Sequence, residues 1–215
     1  NNNFNYLRTP NEIKFINSLK ENNKNIYGYF PTWRIDGLEM FRDVISFEQL
    51  KVTDQILKET NSLILIKRHM NSEKKDENIL YNKKIENVSE YLESLKNFKF
   101  IDYDYDLNSI LGLCDVLISD YSGVMFDFLY CDKPIITYAP DYKEFKKDTG
   151  FTFDPIENNF TYPAYNLKEI NEYIFQYSSN KFDFKEKHKE QRKLVKDKIF
   201  LNNSHVEVIL KKLNI

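Results

Sequence analysis

Apolar residues along the chain fall into short continuous runs separated by amphipathic stretches, and that alternation sets the expected fold. Ile26 to Phe30 and Leu63 to Ile66 read as strands, and Phe98 to Ile101, Val116 to Ser119 and Pro134 to Thr137 complete the set. Helical periodicity covers roughly 47–60, 85–96, 107–113, 123–131, 167–177, 185–199 and 205–213. Continuous apolar strands that alternate with helices predict a parallel sheet covered on both faces, hence an α/β doubly wound domain. Residues 1–25 are polar, with an amphipathic pattern through Ile13, Ile16 and Leu19. They are expected to form an amino-terminal helical or linker segment ahead of a single domain over 26–215.

Composition narrows the classes further. At 41% hydrophobic and 30% charged in 215 residues, the chain is too apolar for intrinsic disorder and long enough to bury a core without staples. Lys plus Arg is 31 against 33 for Asp plus Glu, so nothing draws the whole surface towards nucleic acid, and no such partner is expected. Cys114 and Cys131 are too few for a disulfide scaffold or a cysteine-only zinc site, and their apolar neighbours mark them as buried thiols. No stretch approaches the roughly 20 apolar residues of a membrane span, and the polar start is no signal peptide. These features predict a soluble protein of a reducing compartment. The chain opens on Asn1-Asn2-Asn3 without a Met and reads as part of something longer.

In doubly wound folds ligands bind beyond the carboxyl ends of the strands, and there this chain concentrates its chemistry. After the fourth strand come Ser119, Asp120, Tyr121, Ser122 and Gly123, followed by a helix. Ser122 and Gly123 would let phosphate oxygens approach the unpaired N–H groups of the first helical turn. Ser119, Asp120 or Ser122 would serve equally well as a simple N-cap. The second strand ends on Lys67, Arg68 and His69. On an extended chain Lys67 and His69 point to one side and Arg68 to the other, so either group could meet a phosphate. His69 could also pass a proton. A solvated basic loop is the plainer account of the same run.

The first strand leads through Pro31 to Thr32, Trp33 and Arg34. Arg34 suits forked phosphate recognition, whereas Trp33 suits packing. The fifth strand leads through Tyr138 to Asp141 and Glu144, either of which could accept a ribose hydroxyl or cap the next helix. Neither a glycine-rich dinucleotide fingerprint nor a phosphate-loop Gly-Lys-Ser/Thr occurs, which argues against redox cofactors and P-loop hydrolysis.

Taken in order, these segments resemble the CDP-glycerol glycerophosphotransferase family, the teichoic-acid and capsule polymerases. Pro31-Thr32-Trp33-Arg34 is similar to that family's Ala-Pro-Thr-Trp-Arg stretch, and Lys67-Arg68-His69-Met70 to its Arg-x-His-Pro motif. The run from Leu113 to Phe128, centred on Asp120-Tyr121-Ser122, closely follows the family's most specific signature. Pro134 to Asp141 and the pair Gly150-Phe151 also match, so the resemblance covers roughly residues 26 to 155. Lys67 stands in place of Arg, Met70 in place of Pro, and Gly123 in place of a second Ser. Asn202-Asn203-Ser204 departs from a stretch that often contains Asp-Gly.

The resemblance implies a Rossmann-like, donor-binding domain of a GT-B glycosyltransferase-type fold. It also implies a missing acceptor-binding amino-terminal domain of comparable size. The implied reaction transfers glycerol phosphate, or another polyol phosphate, from a CDP-linked donor to a hydroxyl of a polymer or lipid-linked acceptor. By the same resemblance His69 is the catalytic candidate. Thr32, Arg34, Lys67, Arg68, Ser119, Asp120, Ser122, Gly123, Tyr138 and Asp141 are the donor-binding candidates. No cofactor is required and no metal ligands are expected, although Mg²⁺ bridging the diphosphate is compatible with the chemistry. The enzyme is expected in the cytoplasm, peripheral on the inner face of the cell membrane. The same fold would also suit a nucleotide-sugar-dependent glycosyltransferase, or a donor-binding module without activity alone.

Overall fold

The computed structural model describes residues 9–21, 24–32, 46–67, 91–102 and 105–200. Six parallel strands form one sheet in the order β3-β2-β1-β4-β5-β6. They are β1 Asn25–Tyr29, β2 Ser62–Ile66, β3 Phe98–Phe100, β4 Val116–Ser119, β5 Ile135–Tyr138 and β6 Tyr162–Ala164. The described helices are α1 Pro10–Glu21, α2 Phe47–Glu59, α3 Leu107–Leu113, α4 Val124–Phe128, α5 Tyr142–Asp148, α6 Leu167–Ser179, α7 Lys181–Glu186 and α8 Lys189–Ile199. Residues 91–94 are helical as well, at the end of the stretch 85–96 whose earlier part lies outside the described residues. The predicted helix 205–213 also lies outside them.

Alternation along each strand divides the interior into two cores. Tyr27, Tyr29, Ile64, Ile66, Val116, Ile118, Ile136 and Tyr138 face α2, α6 and α7. Ile26, Leu63, Leu65, Leu117 and Ile135 face the opposite way, against Ile16 and Leu19 of α1, Ile110 of α3, Met125 and Phe128 of α4, and Val195 of α8. All five residues of β1 and of β2 are buried, the expected consequence of helices on both faces. The polar amino-terminal helix thus joins the same core as the strands that follow it.

Gly28 in β1 is required by this packing. A Cβ there would meet the Phe30 ring edge and lie 2.7 Å from Cys114 Sγ. Cys114 is wholly buried, its thiol donates to the Ile110 carbonyl at 3.3 Å, and burial pushes its pKa up strongly. Cys131 is only partly buried.

The structure departs from the periodicity in four places. β6 and α5 were not expected. Tyr162-Pro163-Ala164 is three residues long and interrupted by Pro, which an edge strand tolerates because its outer amides need no partner. The helix expected over 123–131 closes as α4 followed by a 3-10 turn over Leu129–Cys131, which ends on Asp132 in the left-handed region (φ 48°). The helix expected over 185–199 is two helices, α7 and α8, broken at 187–188 without Gly or Pro.

That break is explained by His188. Although it stands in a Lys-rich stretch, it is buried, with Nδ1 3.0 Å from the Asn159 carbonyl and its ring edge-on to Tyr162 at 4.5 Å. Drawing the imidazole into the core turns the backbone out of helical register, and His188 becomes the N-cap of α8. Burial, with added repulsion from Lys187 and Arg192, lowers its pKa below the ordinary 6.5, and the contact with Asn159 only partly offsets this.

Two outcomes follow from this packing. Gly28→Ala should destabilise the fold by about 1–3 kcal/mol through overpacking, seen as a lower urea midpoint at unchanged m-value. Because the His188 pKa is depressed on folding, the unfolded chain binds its proton more readily. This contribution to stability is complete above pH 6.5 and is lost as pH falls below it. Urea midpoints measured from pH 7.5 to 5 should fall, and His188→Gln should flatten that slope.

Candidate functional site

The strand order reverses between β1 and β4, so consecutive loops leave the sheet in opposite directions and open a crevice at their carboxyl ends. Backbone bonds carry the ladder one residue beyond the strands and aim the loops. The Lys67 N–H donates to the Tyr29 carbonyl at 3.2 Å, Phe30 to Ile118 at 3.1 Å and Ala139 to Ala164 at 2.7 Å. Thr32, Lys67, Asp120 to Gly123, and Asp141 therefore gather along one edge of the sheet.

Across the crevice floor the carboxylate of Asp120 accepts both the backbone N–H of Thr32 at 2.9 Å and the Thr32 hydroxyl at 2.5 Å. Asp120 is 7% exposed, and charge-assisted bonds of this kind are strong when shielded from water. Ser119 adds a second tie: its hydroxyl donates to the Phe30 carbonyl at 2.8 Å. The next residue reaches the other way. Tyr121 donates to Asp141 Oδ1 at 3.0 Å, and its ring stacks on Phe145 at 4.2 Å and meets Phe151 edge-on at 5.1 Å. Three successive residues, Ser119 at the end of β4 and then Asp120 and Tyr121, thus fasten the loops on either side.

Ser122 and Gly123 form the entry to α4. Gly123 is exposed, is the N-cap, and has open space where a Cβ would stand, so a serine would fit there. The expectation of unpaired helix donors needs correction. The Met125 N–H donates to the Ser122 carbonyl at 3.2 Å and Phe126 to Gly123 at 3.0 Å. The tight first turn satisfies these amides itself, and a helix of five residues carries little dipole. Among the described residues Lys67 brings a positive charge to these strand ends, its ammonium donating to the Tyr105 carbonyl at 3.0 Å.

Two further candidates change role. Ser119 is fully buried and committed to the Phe30 carbonyl, so it fixes the loop rather than facing the crevice. Tyr138 is 2% exposed in the core with its ring edge-on to Tyr29, because strand alternation places it on the same covered face as Ile136. Arg34, Arg68 and His69 lie outside the described residues, as do Trp33 and Met70. Thr32, Lys67, Asp120, Ser122, Gly123 and Asp141 are brought together at the strand ends.

Sequence reasoning missed the aromatic shelf of Tyr121, Phe145 and Phe151, although the Tyr and Phe density of 138–153 was a signal for it. The shelf is braced from behind. Tyr142 donates to Asp154 at 2.7 Å, and Lys146 pairs with both Asp154 and Glu157. Burial opposes ionisation of Asp154, yet the Tyr142 hydroxyl, the Glu157 and Ile156 N–H groups and Lys146 outweigh it and hold its pKa below the ordinary value. Among the described residues no group of three His, Cys, Asp or Glu is placed to hold a metal ion.

Comparison with known proteins identifies the chain's relatives. A family model described as CDP-Glycerol:Poly(glycerophosphate) glycerophosphotransferase matches residues 8–204. A teichoic acid poly(glycerol phosphate) polymerase of Bacillus spizizenii is 34% identical over 161 residues, 69% of this chain and 36% of that one. A teichoic acid glycerol-phosphate transferase of Staphylococcus aureus is 27% identical over 185 residues, 78% of this chain and 43% of that one. The chain therefore spans less than half the length of these relatives. Among solved structures, the wall teichoic acid polymerase TagF superposes with a TM-score of 0.59 at 21% identity, covering 90% of this chain and 43% of that one.

Asp120→Ala would leave the Thr32 N–H without its acceptor, at a cost of about 1–3 kcal/mol. Hydrogen exchange at the Thr32 amide should accelerate in that variant, and Asp120→Asn, which keeps one acceptor oxygen, should show a smaller change.

Proposed function

Because this chain belongs to the CDP-glycerol:poly(glycerophosphate) glycerophosphotransferase family, we propose that it is the donor-binding part of an enzyme of teichoic-acid-like polymer synthesis. The enzyme would transfer glycerol phosphate from CDP-glycerol to a hydroxyl of a polymer or lipid-linked acceptor. The observation that carries this reading is that Lys67, the Thr32–Asp120 tie, Ser122 and Gly123 follow the carboxyl ends of the adjacent strands β2, β1 and β4, beside the reversal point where doubly wound folds bind ligands.

In the reaction an acceptor oxygen attacks the β-phosphorus. The new P–O bond forms as the bond to the bridging oxygen breaks, CMP leaves with that electron pair, and the product is a phosphodiester. Negative charge develops on the departing phosphate, so fixed cations at the crevice stabilise the transition state. Lys67, Arg34 and Arg68 are assigned that task. Ser122 and the open backbone at Gly123 are assigned to the phosphate oxygens, and Asp141 to a sugar hydroxyl. His69, two residues beyond Lys67, is assigned the acceptor proton or a phosphate oxygen. This reading requires no resident cofactor, and Mg²⁺ would enter with the diphosphate. Acceptor recognition is assigned to a further amino-terminal domain, and the enzyme to the inner face of the cell membrane. No described helix is long and apolar enough to cross one.

Calorimetric titration tests the donor class. CDP-glycerol and CDP-ribitol should bind more tightly than UDP-sugars, and equal or tighter UDP-sugar binding would move the assignment to sugar transfer. Arg34→Ala and His69→Ala should each weaken donor binding or transfer about tenfold to a hundredfold, the worth of one charged hydrogen bond. His205→Ala, at the start of the helix predicted over 205–213 rather than after a strand, should leave both unchanged.

A further inference from the structure

One buried carboxylate outside the crevice is connected to it through a single peptide group. The Lys67 ammonium donates to the Tyr105 carbonyl at 3.0 Å. The N–H of that same peptide unit, carried by Asp106, donates to Glu12 Oε1 at 3.2 Å. The Tyr105–Asp106 peptide therefore lies between a cation and an anion, with its dipole aligned to both. Glu12 belongs to the first turn of α1 and is 1% exposed. Its own N–H donates to the Thr9 hydroxyl at 3.2 Å, the Thr-x-x-Glu arrangement of a helix capping box. In that motif the glutamate side chain turns back on its own helix, whereas Glu12 Oε1 crosses 94 residues of sequence to the entrance of α3. The Asp106 side chain anchors the same peptide from the helix side, accepting the Ser109 N–H at 2.9 Å and hydroxyl at 2.6 Å.

A carboxylate this deeply placed is costly unless its charge is answered. A lysine head group left to its rotamers loses much of that freedom when a ligand orders it. The bridge addresses both costs: polarisation through the peptide strengthens each bond, and the ammonium is ordered before any ligand arrives. We infer that Glu12 is a positioning residue for Lys67, acting through the Tyr105–Asp106 peptide to hold the ammonium at the end of β2. The inference rests on the reading of Lys67 as a ligand of the donor phosphates.

The test combines donor affinity with an amide signal that needs no ligand. Glu12→Gln keeps the shape and an acceptor oxygen but removes the charge. It should weaken CDP-glycerol binding to the 215-residue chain. A loss of about threefold to tenfold is expected for weakening one charge-assisted contact at second hand. In a Lys67→Met background the same substitution should cost nothing further. Without ligand, the Asp106 amide proton should move upfield in Glu12→Gln, and also in the independently made Lys67→Met, which keeps the bridge testable should Glu12→Gln fold poorly. An equal loss of affinity in both backgrounds would make Glu12 merely structural and overturn the inference. So would an Asp106 amide unmoved by either change. If Lys67→Met binds CDP-glycerol as the wild type does, the assignment of Lys67 to the donor fails first and the positioning role falls with it. If the wild-type chain binds no CDP-glycerol, the donor reading itself fails, and the amide shifts then report on the bridge alone.

Discussion

A parallel sheet buried on both faces can show its polar groups to a ligand only where the strands end, and every feature of the crevice depends on that constraint. The edge must be held in shape without the ladder that holds the strands. Asp120 supplies the central hold, since its carboxylate takes two donors from Thr32 across the reversal point. Ser119 and Tyr121, on either side of it, secure the Phe30 carbonyl and Asp141. The β4 loop thus acts as a strap across three strand ends, with Ser122 and Gly123 at its far end.

The strap also explains why so many hydroxyls and carboxylates occur where few can touch a ligand. Once buried, a hydroxyl such as that of Ser119 must find a partner within the protein, and the nearest is the loop carbonyl it fixes. The carboxylate of Asp120 follows the same rule. A family signature around these residues therefore records the construction of the site as much as its contacts. The departure at Gly123 is of another kind: its Cβ position faces open space, so Gly and Ser are equally compatible with the fold there.

Away from the crevice, the covering helices are fastened by polar groups that periodicity treats as surface. His188 enters the core against Tyr162, and Arg192, 2% exposed, donates to the Lys185 carbonyl at 2.8 Å, joining α8 to the end of α7. Glu12 does the same for α1 and α3. Each lies in a segment whose other polar residues are solvated, and each is drawn inward by one specific backbone partner.

Strands β1 to β5, the helices flanking them and the loops at their carboxyl ends were legible in the sequence, because burial acts on each residue in turn and leaves its period in the chain. Two elements were not: β6 is interrupted by Pro163, and α5 buries none of its residues, so neither carries an apolar period. At the site, the identity of the strand-end loops was readable, whereas the division of labour within them was not. Thr32 and Asp120 are 88 residues apart, and Glu12 and Asp106 are 94. Nothing local distinguishes a carboxylate that will cap a helix, meet a ligand or tie two loops together. Only the packed sheet brings a particular N–H to a particular oxygen, and by excluding water it makes that one pairing binding.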